Sequence, residues 1–160
     1  MNLPLRPNVC MLVLNSEGKL FLGEREGNPG VWQFPQGGVD ESSTVEASVL
    51  RELEEELGAD RHLFAIIKKL DAVNEYDWEV PPPYGVGRWR GQSQTFWLVR
   101  FDGSDSDIDL SRYDEEMMDF RWCSVPEVRA LAEAKRLPGY EKAISEAEAY
   151  IAERYHCDGN

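Results

Sequence analysis

Apolar residues in the first third of this chain fall into short runs. Val9 to Leu14 and Lys19 to Gly23 have strand length and flank Asn15-Ser16-Glu17-Gly18, a polar Gly-containing turn, so the pattern predicts a β-hairpin. Gly27-Asn28-Pro29-Gly30 supplies a second turn. Val31-Trp32-Gln33-Phe34 then reads as a strand running into Pro35-Gln36-Gly37-Gly38, a Gly-rich loop expected to stop regular structure. From Val45 the period changes. Apolar residues recur at Val49, Leu50, Leu53 and Leu57, after the N-cap types Ser42, Ser43 and Thr44 and before the stop Gly58, which predicts an amphipathic helix. Leu63 to Leu70, Thr95 to Phe101 and Asp119 to Ser124 are predicted strands. Glu79 to Gly91, rich in Pro, Gly and Arg, is a long loop and a candidate substrate wall. Asp102 to Ser111 reads as a solvated acidic loop without an assigned role. Val125 to Tyr155 returns to helical spacing, divided by Pro138-Gly139 into Pro126 to Arg136 and Tyr140 to Tyr155. Strands, helix, strands and helices in that order imply an α/β sandwich with a mixed sheet.

Length and composition support a single domain over residues 1 to 160, with 42% hydrophobic and 29% charged residues. Met1 to Pro7 lacks a secretory apolar core, and no run approaches the roughly 18 apolar residues of a membrane span, so a soluble, cytoplasmic protein is expected. Cys10, Cys123 and Cys157 have no paired spacing and read as reduced thiols. The net charge of −13 disfavours a large nucleic-acid footprint, DNA included. An anionic substrate would need positive charge supplied locally, by bound cations or a few placed Arg and Lys.

Glu52, Glu55 and Glu56 stand at i, i+3 and i+4, so they share a helical face and can converge on one point. Leu50, Leu53 and Leu57 hold the opposite face in the core. Like-charged pairs on a helix cost about 0.2–0.5 kcal/mol each, which makes a cation their natural partner. Mg²⁺ takes a few carboxylate oxygens, keeps several waters and accepts phosphate oxygens from a substrate. An acidic run of this kind is more often solvated surface; here Gly37-Gly38, one loop upstream, lets backbone approach a phosphate or metal closely.

From Gly37 to Ala59 the chain resembles the Nudix hydrolase family. Its box reads Gly, five residues, Glu, seven residues, then Arg-Glu-Leu-x-Glu-Glu-x-Gly and an apolar residue, matched here by Arg51-Glu52-Leu53-Glu54-Glu55-Glu56-Leu57-Gly58-Ala59. The departure is Ser43, where the family has Glu, chiefly a structural partner for the box arginine. Glu41 or Glu46 is expected to supply a substitute charge for Arg51, and Ser43 to cap the helix. The resemblance implies the Nudix fold, an α/β/α sandwich with a mixed β-sheet.

The resemblance extends over most of residues 5 to 125 to the subgroup that hydrolyses dinucleoside polyphosphates and removes pyrophosphate from RNA 5′ ends. It is carried by Arg6-Pro7-Asn8-Val9, Trp32-Gln33-Phe34-Pro35-Gln36-Gly37-Gly38, Tyr76-Asp77, Arg90-Gly91-Gln92-Ser93-Gln94 and Phe120-Arg121-Trp122. It implies two or three Mg²⁺ ions, with Mn²⁺ as a substitute, held by Glu52, Glu55, Glu56, the Gly37 carbonyl and Glu116, with Glu115 as the alternative to the last. Glu52, Glu55 and Glu56 are the candidate catalytic residues, Glu55 or Glu52 helping to deprotonate the attacking water. Candidate substrate contacts are Arg6, Arg25, Gln36, Tyr76, Arg88 and Arg90, with Trp32 and Tyr84 as further candidates for base stacking. The subgroup's lysines within Gly-Gln-Lys-Gln-Lys are Ser93 and Thr95 here, so Arg88 or Arg90 is expected to take that load. The acidic composition ranks a small dinucleoside polyphosphate such as diadenosine tetraphosphate first, a triphosphorylated RNA end second, and a non-catalytic nucleotide-sensing module behind both.

Overall fold

A computed structural model describes residues 2 to 155. Seven strands form one mixed sheet: β1 (Leu5–Leu14), β2 (Leu20–Arg25), β3 (Trp32–Gln33), β4 (Gln36–Gly38), β5 (Phe64–Asp77), β6 (Gly91–Phe101) and β7 (Met117–Cys123). Three helices accompany them, α1 (Val45–Leu57), α2 (Val125–Leu131) and α3 (Leu137–Arg154). The main path runs β3-β2-β1-β6-β5, with β4 added to β1 and β7 to β2.

Successive side chains of β1 point to opposite faces, and from Val9 to Leu14 both faces are covered, so that part of the strand reads as an unbroken apolar run. Val9, Met11 and Val13 pack with Val49, Leu53 and Leu57 of α1. Cys10, Leu12 and Leu14 pack with Val128 of α2 and Tyr140, Ile144 and Ala147 of α3. This is the expected α/β/α layering.

Several elements differ from the sequence-based reading. The hairpin closes only at Leu14 and Leu20. Farther back, β1 pairs with β4 through Asn8, Val9 and Cys10, and the Met11 N–H goes to the Pro35 carbonyl at 2.9 Å. The segment expected to stop regular structure is therefore a short strand, because β1 leaves it an edge to pair with. The other edge of β1 runs parallel to β6 from Leu5 to Leu14.

Strand β5 continues well past Leu70, across a register break between Lys69 and Val73. Two of the three backbone N–H groups in that break, those of Asp71 and Ala72, donate to the Glu146 carboxylate of α3, at 2.7 and 2.9 Å. Pro138-Gly139 does not divide the terminal helices. Pro138 lies in the first turn of α3, where no N–H is required of it, and the break falls near Ala132, which bridges Trp32. Cys10 and Cys123 are buried free thiols; Cys157 lies outside the described residues. Among those residues no helix is long and apolar enough to cross a membrane.

Candidate functional site

Helix α1 opens at Thr44, whose hydroxyl accepts the Ala47 N–H at 3.1 Å, so the cap is Thr44 and not Ser43. It ends on Gly58, left-handed at φ 69°, where the Asp109 carbonyl leaves no room for a Cβ. The β4–α1 loop is tied down by two helix side chains. Ser48 Oγ accepts the Asp40 N–H at 3.0 Å, and Arg51 donates to the Gly38 carbonyl at 3.1 Å.

Arg51 also pairs with Glu52 at 2.9 Å, Asp40 at 3.6 Å and Glu55 at 3.8 Å. The charge that stands in for the missing Glu at position 43 is thus Asp40. Neither Glu41 nor Glu46 pairs with Arg51, because the turn after Gly38 aims Asp40 at the guanidinium while Ser48 holds its backbone.

The structure brings the four candidate metal glutamates together. Glu56 is 4% exposed, and its carboxyl is pushed well above the usual range by burial, then by Glu116 and Glu52. Burial likewise raises Glu52, against the pull of Arg51 and with repulsion from Glu55 and Glu116. Glu116 is raised by burial and then by Glu55 and Asp114, and Arg25 opposes the rise. Each of the four carboxylates thus acts on the others. A Cβ on Gly37 would collide with the Glu52 carboxyl, so only glycine lets β4 pass this close to it.

Among the described residues no three acidic, imidazole or thiol groups already stand at closed-cage spacing. Arg51 is the counter-charge for Glu52 and Glu55. The donor set nevertheless suits a hard cation. Glu56 Oε2 is buried and without a hydrogen-bond partner among the described residues, beside three further carboxylates.

The candidate substrate contacts divide. Arg6 and Arg88 line a cavity of about 360 Å³ with Asp40, Glu41, Tyr84 and Trp89. Arg6 stacks on Tyr84 at 4.6 Å, and Arg88 on Trp89 at 5.0 Å. Arg25 is exposed and lies near Glu116. Tyr76 lines a second cavity, of about 530 Å³, with Asn74, Gln94, Lys135 and Arg136. Gln36 lies half-buried at the start of β4.

Arg90 departs from expectation. It pairs with Asp77 at 3.1 Å and donates to the Leu3 carbonyl at 2.7 Å, fastening the chain start to the mouth of the β5–β6 loop. Trp32 is 6% exposed and belongs to the core under α2 and α3, so it offers no stacking face. Asp40, Lys135 and Arg136 carry no expectation from the sequence, and three buried amides, Asn8, Gln92 and Gln94, lie in segments that carry the family resemblance without an individual role. Gln92 and Gln94 carry a legible signal: polar residues two apart on a central strand point to one face, and when buried they must bond to each other or to a neighbour.

Comparison with known proteins identifies the family. Residues 4–145 match the model of the NUDIX domain. The chain is 38% identical over 123 residues, 75% of its length and 77% of the relative's, to a protein of Roseobacter denitrificans named RNA pyrophosphohydrolase. It is 36% identical over 147 residues, 91% of both chains, to one of that name from Wolbachia pipientis subsp. Culex pipiens. In backbone it is similar to a C. elegans Ap4A hydrolase at a TM-score of 0.63, with 19% identity, 91% of this chain covered and 98% of the other. The glutamate helix, its glycine loop and these matches together show that the chain belongs to the Nudix family of hydrolases.

Proposed function

We propose that this Nudix pyrophosphohydrolase acts on the 5′-triphosphate end of RNA and releases pyrophosphate. The observation that carries the choice of RNA is the 36% identity over 91% of the chain to a protein named RNA pyrophosphohydrolase. It reverses the ranking drawn from net charge alone. That ranking counted the whole surface, whereas Arg6, Arg25 and Arg88 have no carboxylate at ion-pair distance among the described residues; Arg6 and Arg88 line a cavity with Asp40 and Glu41 of the loop that leads into the glutamate helix, and Arg25 lies near Glu116.

Nudix hydrolases generally use divalent metal ions such as Mg²⁺. Here Glu52, Glu55, Glu56, Glu116 and the Gly37 carbonyl would hold two or three of them. When bound, such ions neutralise phosphate oxygens and make water more acidic. Among the glutamates, Glu55 is the best placed to take the proton of the attacking water. Its side chain is 44% exposed, against 14% for Glu52, which Arg51 also engages directly at 2.9 Å. Arg25, near Glu116, and Arg6 and Arg88, in the adjoining cavity, donate to the phosphates and orient them for in-line attack. The leaving pyrophosphate departs with its charge spread over the same donors.

Turnover of 5′-triphosphorylated RNA and of diadenosine tetraphosphate, compared at equal magnesium and salt, tests the proposal. RNA should be the better substrate by kcat/KM. A clear preference for diadenosine tetraphosphate would return the site to small dinucleoside polyphosphates. Turnover of neither would leave the nucleotide-sensing module standing.

A further inference from the structure

A continuous chain of side-chain amides runs beneath both cavities. Asn8 is its hub and is 1% exposed. Its Nδ2 donates to Gln36 Oε1 at 2.8 Å and to Gln92 Oε1 at 3.1 Å, and its Oδ1 accepts from Gln94 Nε2 at 3.0 Å. Gln92 Nε2 continues to the Tyr76 hydroxyl at 2.6 Å. Gln94 Oε1 accepts from Asn74 Nδ2 at 3.1 Å.

An amide can be reversed end for end, so the direction of such a chain needs an anchor whose chemistry is fixed. Arg6 provides it. A guanidinium only donates, and it donates to Gln92 Oε1 at 3.0 Å. Gln92 must therefore turn its NH₂ to Tyr76, whose oxygen becomes an acceptor. Asn8, facing the same Gln92 oxygen, must present its NH₂ there. Its carbonyl is then left for Gln94, whose own carbonyl is left for Asn74. Every amide in the chain has one allowed sense.

Because the Tyr76 oxygen is already accepting, its own proton is free to donate, and among the described residues it has no acceptor. Gln36 is in the same state: its oxygen is engaged by Asn8, which leaves its NH₂ as donor. Lys135 and Arg136, which share the cavity with Tyr76, are donors as well. Tyr76 and Gln36 thus offer donors to anything bound beside them.

We infer that Asn8 is a positioning residue. Through a buried amide chain polarised by Arg6, it sets Tyr76 and Gln36 as hydrogen-bond donors toward an acceptor-rich ligand such as a polyphosphate or a nucleobase carbonyl. The inference rests on the reading of the site as a nucleoside polyphosphate hydrolase. Asn8 touches no substrate itself.

Asn8→Asp keeps size and shape but replaces the two donors by an oxygen, which repels the Gln36 and Gln92 oxygens: Gln36 reverses, and Gln92, whose oxygen Arg6 still holds, is pushed away from its bond to Tyr76. Gln36 then turns its oxygen outward, and the Tyr76 hydroxyl loses the partner that fixes it. On a triphosphorylated dinucleotide, KM should rise about tenfold while kcat changes by less than about threefold. In a Tyr76→Phe background the further effect of Asn8→Asp on KM should shrink to about twofold, because the end of the chain is already missing. Gln92→Met cuts the link to Tyr76 while keeping side-chain length, and should reproduce the KM effect if Asn8→Asp does not fold. An active parent whose KM is unmoved by Asn8→Asp or Gln92→Met, or whose losses multiply independently with Tyr76→Phe, would overturn the role of Asn8. A parent inactive on both triphosphorylated RNA and diadenosine tetraphosphate would instead overturn the functional reading beneath it.

Discussion

At the scale of single residues, Glu56 concentrates the conflict in the site. Burial and its neighbours Glu116 and Glu52 all favour its protonated form. A carboxyl whose folded pKa exceeds the unfolded value stabilises fully below that unfolded value, and the contribution is lost as pH rises through the folded pKa. Glu52 and Glu116 shift the same way. Asp40, Glu54 and Asp60 shift downward, so what they contribute is already complete above their unfolded values. Metal-free protein in a chelator should therefore melt higher near about pH 5 than near about pH 8. Glu56→Gln should flatten that profile, and Mg²⁺ should raise the melting temperature most at the alkaline end. Thermal melts across this range decide it; a chelated protein that gained stability toward pH 8 would contradict the account. Glu55→Gln should leave the melt intact and lower turnover by several orders of magnitude, as single-turnover kinetics would show. The register of these glutamates was legible in the sequence because helical spacing fixes who shares a face. The partner of Arg51 was not: Asp40 reaches it through a turn whose path depends on Ser48, a residue without a pattern of its own.

At the scale of elements, what joins the glutamate helix to the sheet is the loop from Gly38 to Thr44. Asp40→Ala removes the carboxylate facing Arg51 and the Asx-type turn in which Asp40 accepts the Ser42 N–H at 2.9 Å. The loss should lower the melting temperature by about 2–4 °C. Ser43→Glu, which restores the family residue, should recover part of that loss in the double variant. A double variant no more stable than Asp40→Ala would show that the two positions do not substitute for each other. A second joint lies at the β5 bulge. Glu146→Ala leaves the N–H groups of Asp71 and Ala72 without their acceptor, at a cost of about 1–3 kcal/mol, read by thermal melts and by faster amide exchange at those two positions. The sequence could not show this clamp. Leu63 to Leu70 has a strand's composition, but continuing the strand past Asp71 requires a carboxylate from a helix 75 positions away. β4 was hidden for the same reason: Gln36-Gly37-Gly38 has no strand propensity and pairs because β1 offers a free edge. Pro138 misled in the other direction, since proline marks the first turn of a helix as readily as its end.

At the scale of the whole molecule, a net charge of −13 and a phosphate-bearing substrate are compatible because the charges are sorted. Arg51, Arg61, Arg90, Arg100, Arg112, Arg129 and Arg136 each face a carboxylate at ion-pair distance and add little field beyond it. Arg6, Arg25, Arg88, Arg121 and Arg154 do not, among the described residues; Arg121 and Arg154 stack on Trp32 and Tyr150, while Arg6 and Arg88 share one cavity and Arg25 lies near Glu116. Such a surface attracts phosphate only over a few Å and repels the rest of a long chain, so binding should involve about two or three phosphates. For single-stranded RNA, the logarithm of affinity falls against the logarithm of salt with slope about −0.7 per phosphate neutralised, which gives about −1.4 to −2 here. Arg88→Ala should lower the steepness by about 0.7, whereas Arg90→Ala, which breaks a pair with Asp77, should leave the slope unchanged. Lengthening the RNA beyond the first few nucleotides should not improve KM, since each added phosphate meets acidic surface. A slope much steeper than −2 that grows with RNA length would mean that a longer basic track exists, and that the sorting of charge described here is not what admits the substrate.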